Sequence, residues 1–286
     1  MQIKFNNVSF TYMSLDNKNT AALINVDLDL SALVPTAIVG QTGSGKSTAM
    51  QHINALLQPT SGYVEVADMT ITKKKNRDLF QLRKKIGYVF QNPNYQLFAN
   101  TVLEDVMYGP LNFGLSNELA KKKAIEALNL VKIDADLFAR YPFDLSGGQM
   151  RKVAIAGALA YEPEVLILDE PTVGLDPLAR AHMSELFENL YQKHQKKLLF
   201  ITHDMEFVQQ IAKRVIVFQS GMVAYDGTPF DLFMGDYCEA LALEIPLMYQ
   251  IIKAIQQKDS NFSILEKDCE TLEQVVQQIK IWKEGQ

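Results

Sequence analysis

The chain has 286 residues, with 28 Lys+Arg against 33 Asp+Glu, a net charge of −5, 48% hydrophobic residues and two cysteines. At roughly 100–200 residues per domain, this length allows one large domain or two modest ones around a substantial core. The acidic balance lacks the Lys/Arg excess that double-stranded nucleic acid selects. Cys238 and Cys269 offer neither metal-ligand spacing nor a disulfide framework, which fits a reducing compartment.

A membrane span needs about 18–20 nearly continuous apolar residues. The longest run here, Val153 to Tyr161, is nine residues even with Gly157 included. The stretch Met1 to Asn7 lacks the charged and apolar regions of a secretion signal. The expectation is a cytoplasmic protein that reaches a membrane only through a partner.

In chain order, a strand is expected near Ile3 to Phe10. Ile24, Val26, Leu28 and Leu30 alternate with Asn25, Asp27 and Asp29, the period of a strand with one wet face. Tyr63 to Val66 follows a Ser61-Gly62 turn signal. Together these predict a small antiparallel sheet. Thr36 to Val39, Val165 to Leu168 and Leu198 to Ile201 instead carry apolar residues without alternation, as in parallel strands covered on both faces. Helical stretches follow each of these, at Gly45 to Leu57, Pro177 to His194 and Asp204 to Ala212. Strand then helix, repeated, predicts an α/β layered fold with ligands beyond the carboxyl ends of the strands. Asn92 to Glu162 has no convincing buried strand and includes an amphipathic stretch, Asn117 to Val131, which predicts an inserted helical subdomain. After Asp226 the pattern is helical again.

Gly40-Gln41-Thr42-Gly43-Ser44-Gly45-Lys46-Ser47 fits G-x-x-x-x-G-K-[ST] between a buried strand and a helix. Glycines let the backbone wrap a phosphate chain, so that N–H groups and the helix N-terminus face its charge. Lys46 is then expected on the β- and γ-phosphates, the Ser47 hydroxyl on Mg²⁺, and Thr48 as a further phosphate contact. The competing reading is a glycine-rich turn that binds nothing. Val165 to Leu168 ends in Asp169-Glu170, placing Asp169 toward Mg²⁺ through its water shell and Glu170 on an attacking water. These acids could instead cap a helix, but Pro171 follows at once and fixes a turn.

Leu145-Ser146-Gly147-Gly148-Gln149 heads an apolar helical run from Met150 to Tyr161 and forms a second anion-binding terminus. With this pentapeptide upstream of the Asp-Glu strand, the sequence resembles an ATP-binding cassette (ABC) ATPase. The resemblance covers about Met1 to Phe233. It implies a P-loop fold with a RecA-like parallel core, an antiparallel β subdomain, an inserted helical subdomain and a C-terminal helical tail. It also implies a head-to-tail dimer sandwiching ATP, in which the signature of one subunit meets the γ-phosphate on the other's loop.

By the same resemblance Gln91 matches the Q-loop glutamine that senses Mg²⁺ and water. Gly174-Leu175-Asp176 matches the D-loop at the dimer interface. His203 matches the switch histidine on the γ-phosphate, and Tyr12 the aromatic that stacks on adenine. Taken without the family, His203 reads as a strand-end residue beside an Asp204 cap, and Tyr12 equally as strand packing.

Gln91 to Val102, followed by Glu104-Asp105-Val106 and Gly109-Pro110, resembles the energy-coupling-factor (ECF) transporters. These take up vitamins and transition-metal ions using two ATPases, a transmembrane coupling subunit and small substrate-binding membrane proteins. Gln149-Met150-Arg151 and Gly109 to Gly114 are more like the second, A-prime ATPase, while Asn92 is closer to the first. The implied assignment is an ATPase at the cytoplasmic face of the cell membrane, peripheral, paired with a second ATPase and acting on no nucleic acid. A conventional ABC importer, a cobalt or nickel system, and a soluble ABC ATPase on nucleic acid stay open as alternatives.

The expected division is 1–91 and 163–233 for the ATP-binding core, 92–162 for the helical signature subdomain and 234–286 for a dimerisation tail. In that tail Leu247, Met248, Ile251, Ile252 and Ile255 form one apolar stripe. Leu272, Val275, Val276, Ile279 and Trp282 form another, behind a Thr271-x-x-Gln274 capping box. They pack either on their own chain or on a partner's tail. Of the apolar residues between Gln91 and Phe113, half are expected in the core and the rest, Leu97 and Phe98 among them, in a groove for helices of the membrane subunit.

Overall fold

The computed structural model describes residues 1–13, 19–74, 79–259, 261–269 and 271–284. In chain order the elements are β1 (Ile3–Tyr12), β2 (Thr20–Asp29), β3 (Thr36–Val39), α1 (Lys46–Ile53), β4 (Ser61–Val66) and β5 (Met69–Ile71). Next come α2 (Phe80–Lys85), β6 (Ile86–Val89), α3 (Val102–Asn112), α4 (Asn117–Leu130), α5 (Gly147–Leu159) and β7 (Val165–Asp169). The chain continues through α6 (Pro177–Gln192), β8 (Lys197–Ile201), α7 (Met205–Ile211), β9 (Arg214–Gln219) and β10 (Met222–Gly227). It closes with α8 (Pro229–Met234), α9 (Tyr237–Ala240), α10 (Leu247–Lys258) and α11 (Leu272–Glu284).

The main sheet runs β10-β9-β3-β8-β7-β6, and every neighbouring pair in it is parallel except the β9–β10 hairpin. Its strands are apolar throughout because both faces are covered, and their period of two divides them between two cores. Ala37, Val39, Leu166, Leu168, Leu198 and Phe200 face the core shared with α3 to α7 and the tail. Ile38, Val165, Ile167, Leu199 and Ile201 face the core shared with α1 and the second sheet, of order β2-β1-β4-β5.

Three features differ from the reading of the sequence. Ala22, Leu23, Val26 and Leu28 are the buried residues of β2, with buried Leu30 just past it, while Ile24 is 39% exposed. Asn25 takes a left-handed φ of 45° and the β1–β2 register shifts there, so the alternation changes phase at the bulge. The Val215 to Phe218 run, unread as a strand, forms β9 and pairs with β3. The helix after β3 is also shorter than expected, ending at Ile53 before a left-handed Ala55.

Lys197 joins the sheets. It is 1% exposed, and its Nζ donates to the carbonyls of Met1 (3.0 Å), Leu30 (2.6 Å) and Ser31 (2.6 Å). Burial pushes its ammonium down to about 8.

The tail folds back on its own chain. Met248, Tyr249, Ile252 and Val275 are buried, and the Leu247 N–H donates to Glu206 Oε1 at 2.7 Å. Thr271 and Gln274 form the expected reciprocal cap, with Thr271 N–H on Gln274 Oε1 at 3.1 Å and Gln274 N–H on Thr271 Oγ1 at 3.3 Å. Leu247, Leu272, Val276 and Ile281 stay exposed. No helix among the described residues is long and apolar enough to cross a membrane.

Candidate active site

Sheet order assembles the site. β3, β8, β7 and β6 are adjacent and parallel, so their carboxyl ends present side by side the Gly40 loop, His203, Asp169-Glu170 and Gln91. That edge is where an open α/β sheet receives ligands.

The Gly40–Lys46 loop has a backbone that side chains would obstruct. Gly40 and Gly45 sit at φ of 134° and 104°. A Cβ on either would lie 2.1 Å from Phe218 O or 2.4 Å from Ala22 O. At Gly43 a Cβ would meet nothing within 4 Å, which leaves that side of the loop open to a ligand. Gln41 and Thr42 are exposed, whereas the Ser44 hydroxyl is buried without a hydrogen-bond partner. Lys46 Nζ donates to Gly40 O and Gln41 O, each at 2.8 Å. Burial lowers its pKa, and Glu170 and Asp169 oppose that effect.

Asp169 ends β7 beside this lysine. Burial raises its carboxyl above the ordinary range and Glu170 adds to the rise, while hydrogen bonds from Ser47 and Tyr88 and the charge of Lys46 work against it. The Tyr88 hydroxyl donates to Asp169 Oδ2 at 3.4 Å. Glu170 follows in a left-handed conformation, φ 51°, fixed by its N–H on Ile201 O at 2.9 Å. Both of its carboxylate oxygens lie 3.1 Å from His203 Nδ1, with the hydrogen bond made to Oε1 and Oε2 buried. The chain then turns at Pro171 and enters α6 only at Pro177, where Asp176 caps the helix by accepting from the Ala179 N–H at 2.8 Å.

Asp204 caps α7 through the Phe207 N–H at 3.1 Å, which leaves the His203 ring free to project beside Glu170. Tyr12 sits near the Gly40 loop with its hydroxyl 3.1 Å from Thr48 Oγ1 and its ring edge-on to Phe10. Gln91 is exposed just past β6.

The signature lies on a different element. Leu145 is buried, and Ser146 caps α5 in a full capping box with Gln149. Gly147 has nothing within 4 Å of a would-be Cβ, and Gly148 would meet only Leu175 Cδ2 at 3.4 Å. The amino terminus of this 13-residue helix is therefore uncrowded and lies beside Leu175, at the Asp176 turn. The fold thus carries the two glycine-rich helix termini on separate elements.

Sequence reasoning missed two residues that order the site. Arg151 is buried and bonds the main chain on either side of the acidic strand end, at Gln91 and Val173. Gln96 takes the Phe90 N–H at 3.2 Å and donates to Ala154 O at 3.0 Å. Neither has a spacing signal, because their partners are backbone atoms.

A strand, a glycine-rich phosphate loop and an adjacent acid–histidine pair define a nucleotide-hydrolysing P-loop ATPase. A family model described as "ABC transporter" matches residues 23–173. The chain is 45% identical over 283 residues, 98% of its length and 97% of the relative's, to the energy-coupling factor transporter ATP-binding protein EcfA2 of Geobacillus kaustophilus. It is 48% identical over 246 residues, 85% of each chain, to the protein of that name from Lactococcus lactis. Among solved structures, a post-hydrolysis dimer of the ATP-binding cassette MJ0796 bound to ADP and Pi aligns with a TM-score of 0.73 at 31% identity, over 79% of this chain and 98% of that one. CbiO1 from Clostridium perfringens, part of the ABC transporter complex cbiONQ, aligns at 0.72 and 32% identity over 88% and 98%. The chain belongs to the ABC transporter ATPases, among the ATP-binding proteins of energy-coupling factor transporters.

Proposed function

We propose that this chain is the second, A-prime ATPase of an energy-coupling-factor transporter, pairing with a different ATPase at the cytoplasmic face of the membrane to power micronutrient uptake. The observation that carries this reading is the 45% identity to an energy-coupling factor ATP-binding protein, which runs through the tail as well as the cassette. The proposed division is a core of 1–91 and 163–233, a signature subdomain of 92–162 and a tail of 234–286.

The reaction is ATP + water → ADP + phosphate. The amides of Gly43 to Ser47, together with Lys46 and Thr48, bind and orient the phosphates. Tyr12, held by Thr48, flanks the base. Glu170, its buried carboxylate oriented by His203, positions the water and takes its proton. His203, anchored on the same carboxylate, holds the γ-phosphoryl. Ser146, Gly147, Gly148 and Gln149 of a partner subunit close the far side. Positioning and electrostatics supply most of the acceleration in such chemistry.

The Ser47 hydroxyl, bonded to Asp169, fits a divalent cation, which Ser47, Asp169 and Gln91 would hold directly or through water. Mg²⁺ bound there would neutralise charge on the β- and γ-phosphates. Among the described residues there is no cluster of three or more His, Cys, Asp or Glu that would hold an ion unaided.

Exposure divides the Gln91 to Phe113 segment. Leu97, expected in the groove, is 4% exposed and belongs to the core, whereas Phe98 is 59% exposed and packs edge-on against exposed Tyr108. Phe98, Tyr108 and Tyr95 are the surface proposed for the membrane subunit. ATP-dependent solute uptake by vesicles carrying the complete complex tests the reading. Uptake that proceeds without nucleotide would overturn it.

A further inference from the structure

Arg151 lies two residues beyond the signature glutamine, within the first turns of α5, and is 8% exposed. A buried guanidinium ordinarily sits against a carboxylate, because an unpaired charge is costly to remove from water. This one reaches main chain instead. Nη2 donates to Gln91 O at 2.9 Å and Nη1 to Val173 O. The first acceptor belongs to the loop leaving β6, and the second to the turn that runs from Glu170 to the Asp176 cap.

Carbonyl acceptors cannot swing away as a carboxylate side chain can. A planar guanidinium also holds its two bonds at a fixed angle. The distance between the Gln91 loop and the 170–176 turn is therefore set by one rigid fork that rides on the signature helix. Gln96 ties the same helix to the same strand end, through Ala154 O and the Phe90 N–H. Burial lowers the pKa of the guanidinium and the charge of Glu170 opposes that effect.

We propose that Arg151 is a positioning residue for hydrolysis: its fork locks the amino terminus of the signature helix to the Gln91 loop and the Asp176 turn, so that all three move as one unit when the site closes. Bending one loop then displaces the others. The inference rests on membership of the ATPase family and is independent of which cargo or membrane partner the chain serves.

The test compares wild type, R151K and R151M in the complete complex. Lysine keeps the charge but is a single point donor and cannot span both carbonyls. For R151K the expected result is a kcat about tenfold to a hundredfold lower, the scale of an ångström-level misplacement, with KM for ATP unchanged. Hydrogen exchange in the full chain should quicken in peptides covering residues 91–93 and 173–176 but not across β3 and α1.

Wild-type kcat in R151K would overturn the proposal. So would a fall of ATP affinity together with kcat in R151K, which is the mark of a general loss of packing. If R151M does not assemble, exchange in R151K decides, and protection unchanged at both segments counts against the strut. A wild-type complex with no turnover is a failure of the hydrolytic assignment, and the exchange comparison still reads the strut.

Discussion

His203 Nδ1 stands 3.1 Å from Glu170 Oε1 although the two residues belong to different strand ends. β7 and β8 are parallel neighbours with Asp169 paired to Ile201, so the residue after one strand meets the second residue after the other. Both carboxylate oxygens lie at that distance from the imidazole, and Oε2 is buried. The histidine thereby fixes the orientation of the carboxylate.

Removing the charge of this acid should separate binding from turnover. Glu170→Gln is expected to lower hydrolysis by about 10²–10⁴-fold, the usual contribution of a positioned general base, while ATP binding and an ATP-held dimer persist. Phosphate release and size-exclusion chromatography with ATP measure the two. Near-normal turnover would remove Glu170 from its role.

Lys46 acts earlier. Its Nζ closes the loop on Gly40 O and Gln41 O and is the cation nearest the expected phosphates. Lys46→Ala should abolish the rise in Tm that ATP gives the wild type, since stabilisation by a ligand follows its affinity for the folded state. Thermal scans with and without ATP check this, and an undiminished shift contradicts it.

Much of this was legible in the sequence, for physical reasons. The Gly40 to Ser47 spacing is demanded by backbone geometry around phosphate, and the apolar runs of β3, β7 and β8 follow from burial on both faces. The phase of β2 was not legible, because Asn25 carries a left-handed bulge that alternation cannot reveal. Nor was the burial of Leu97, since neighbouring residues in an apolar turn differ only by which way the chain faces. Asp105 decides that turn by accepting from the Phe98 and Ala99 N–H groups, both at 2.8 Å. Arg151 and Gln96 escaped because bonds to main chain leave no pattern.

The difference between Leu97 and Phe98 is itself testable. Leu97→Glu buries an unpaired charge, a class of change that costs about 3–5 kcal/mol, and should lower Tm sharply. Phe98→Glu should leave Tm and ATP affinity intact and weaken uptake in vesicles. Equal effects of the two substitutions on Tm would refute the division.

The tail calls for substitution rather than truncation. Removing everything past Asp236 would strip Cys238, Met248, Tyr249 and Ile252 from the main core. Val276→Glu and Ile281→Glu touch exposed residues of α11 instead. If the tail joins the two ATPases, both variants should weaken nucleotide-free association, read by analytical ultracentrifugation, at unchanged monomer Tm.

Lys197 predicts a pH effect. Its folded pKa, near 8, lies below the unfolded value of about 10.4. Between these values the unfolded chain holds the extra proton, so this group's contribution raises stability with increasing pH through that window and is least favourable below about 8. Subtracting a Lys197→Met denaturation series from the wild-type series isolates this slope. A difference that is flat or falling from pH 8 to 10 rejects it.

The central claim is tested most directly by mass spectrometry of the complex purified from native membranes through this chain. The expected composition is this ATPase, a second and different ATPase, a transmembrane coupling subunit and several small substrate-binding membrane proteins. Recovery of a homodimer on a single fixed pair of transmembrane subunits, or of nucleic acid with no membrane protein, would contradict it.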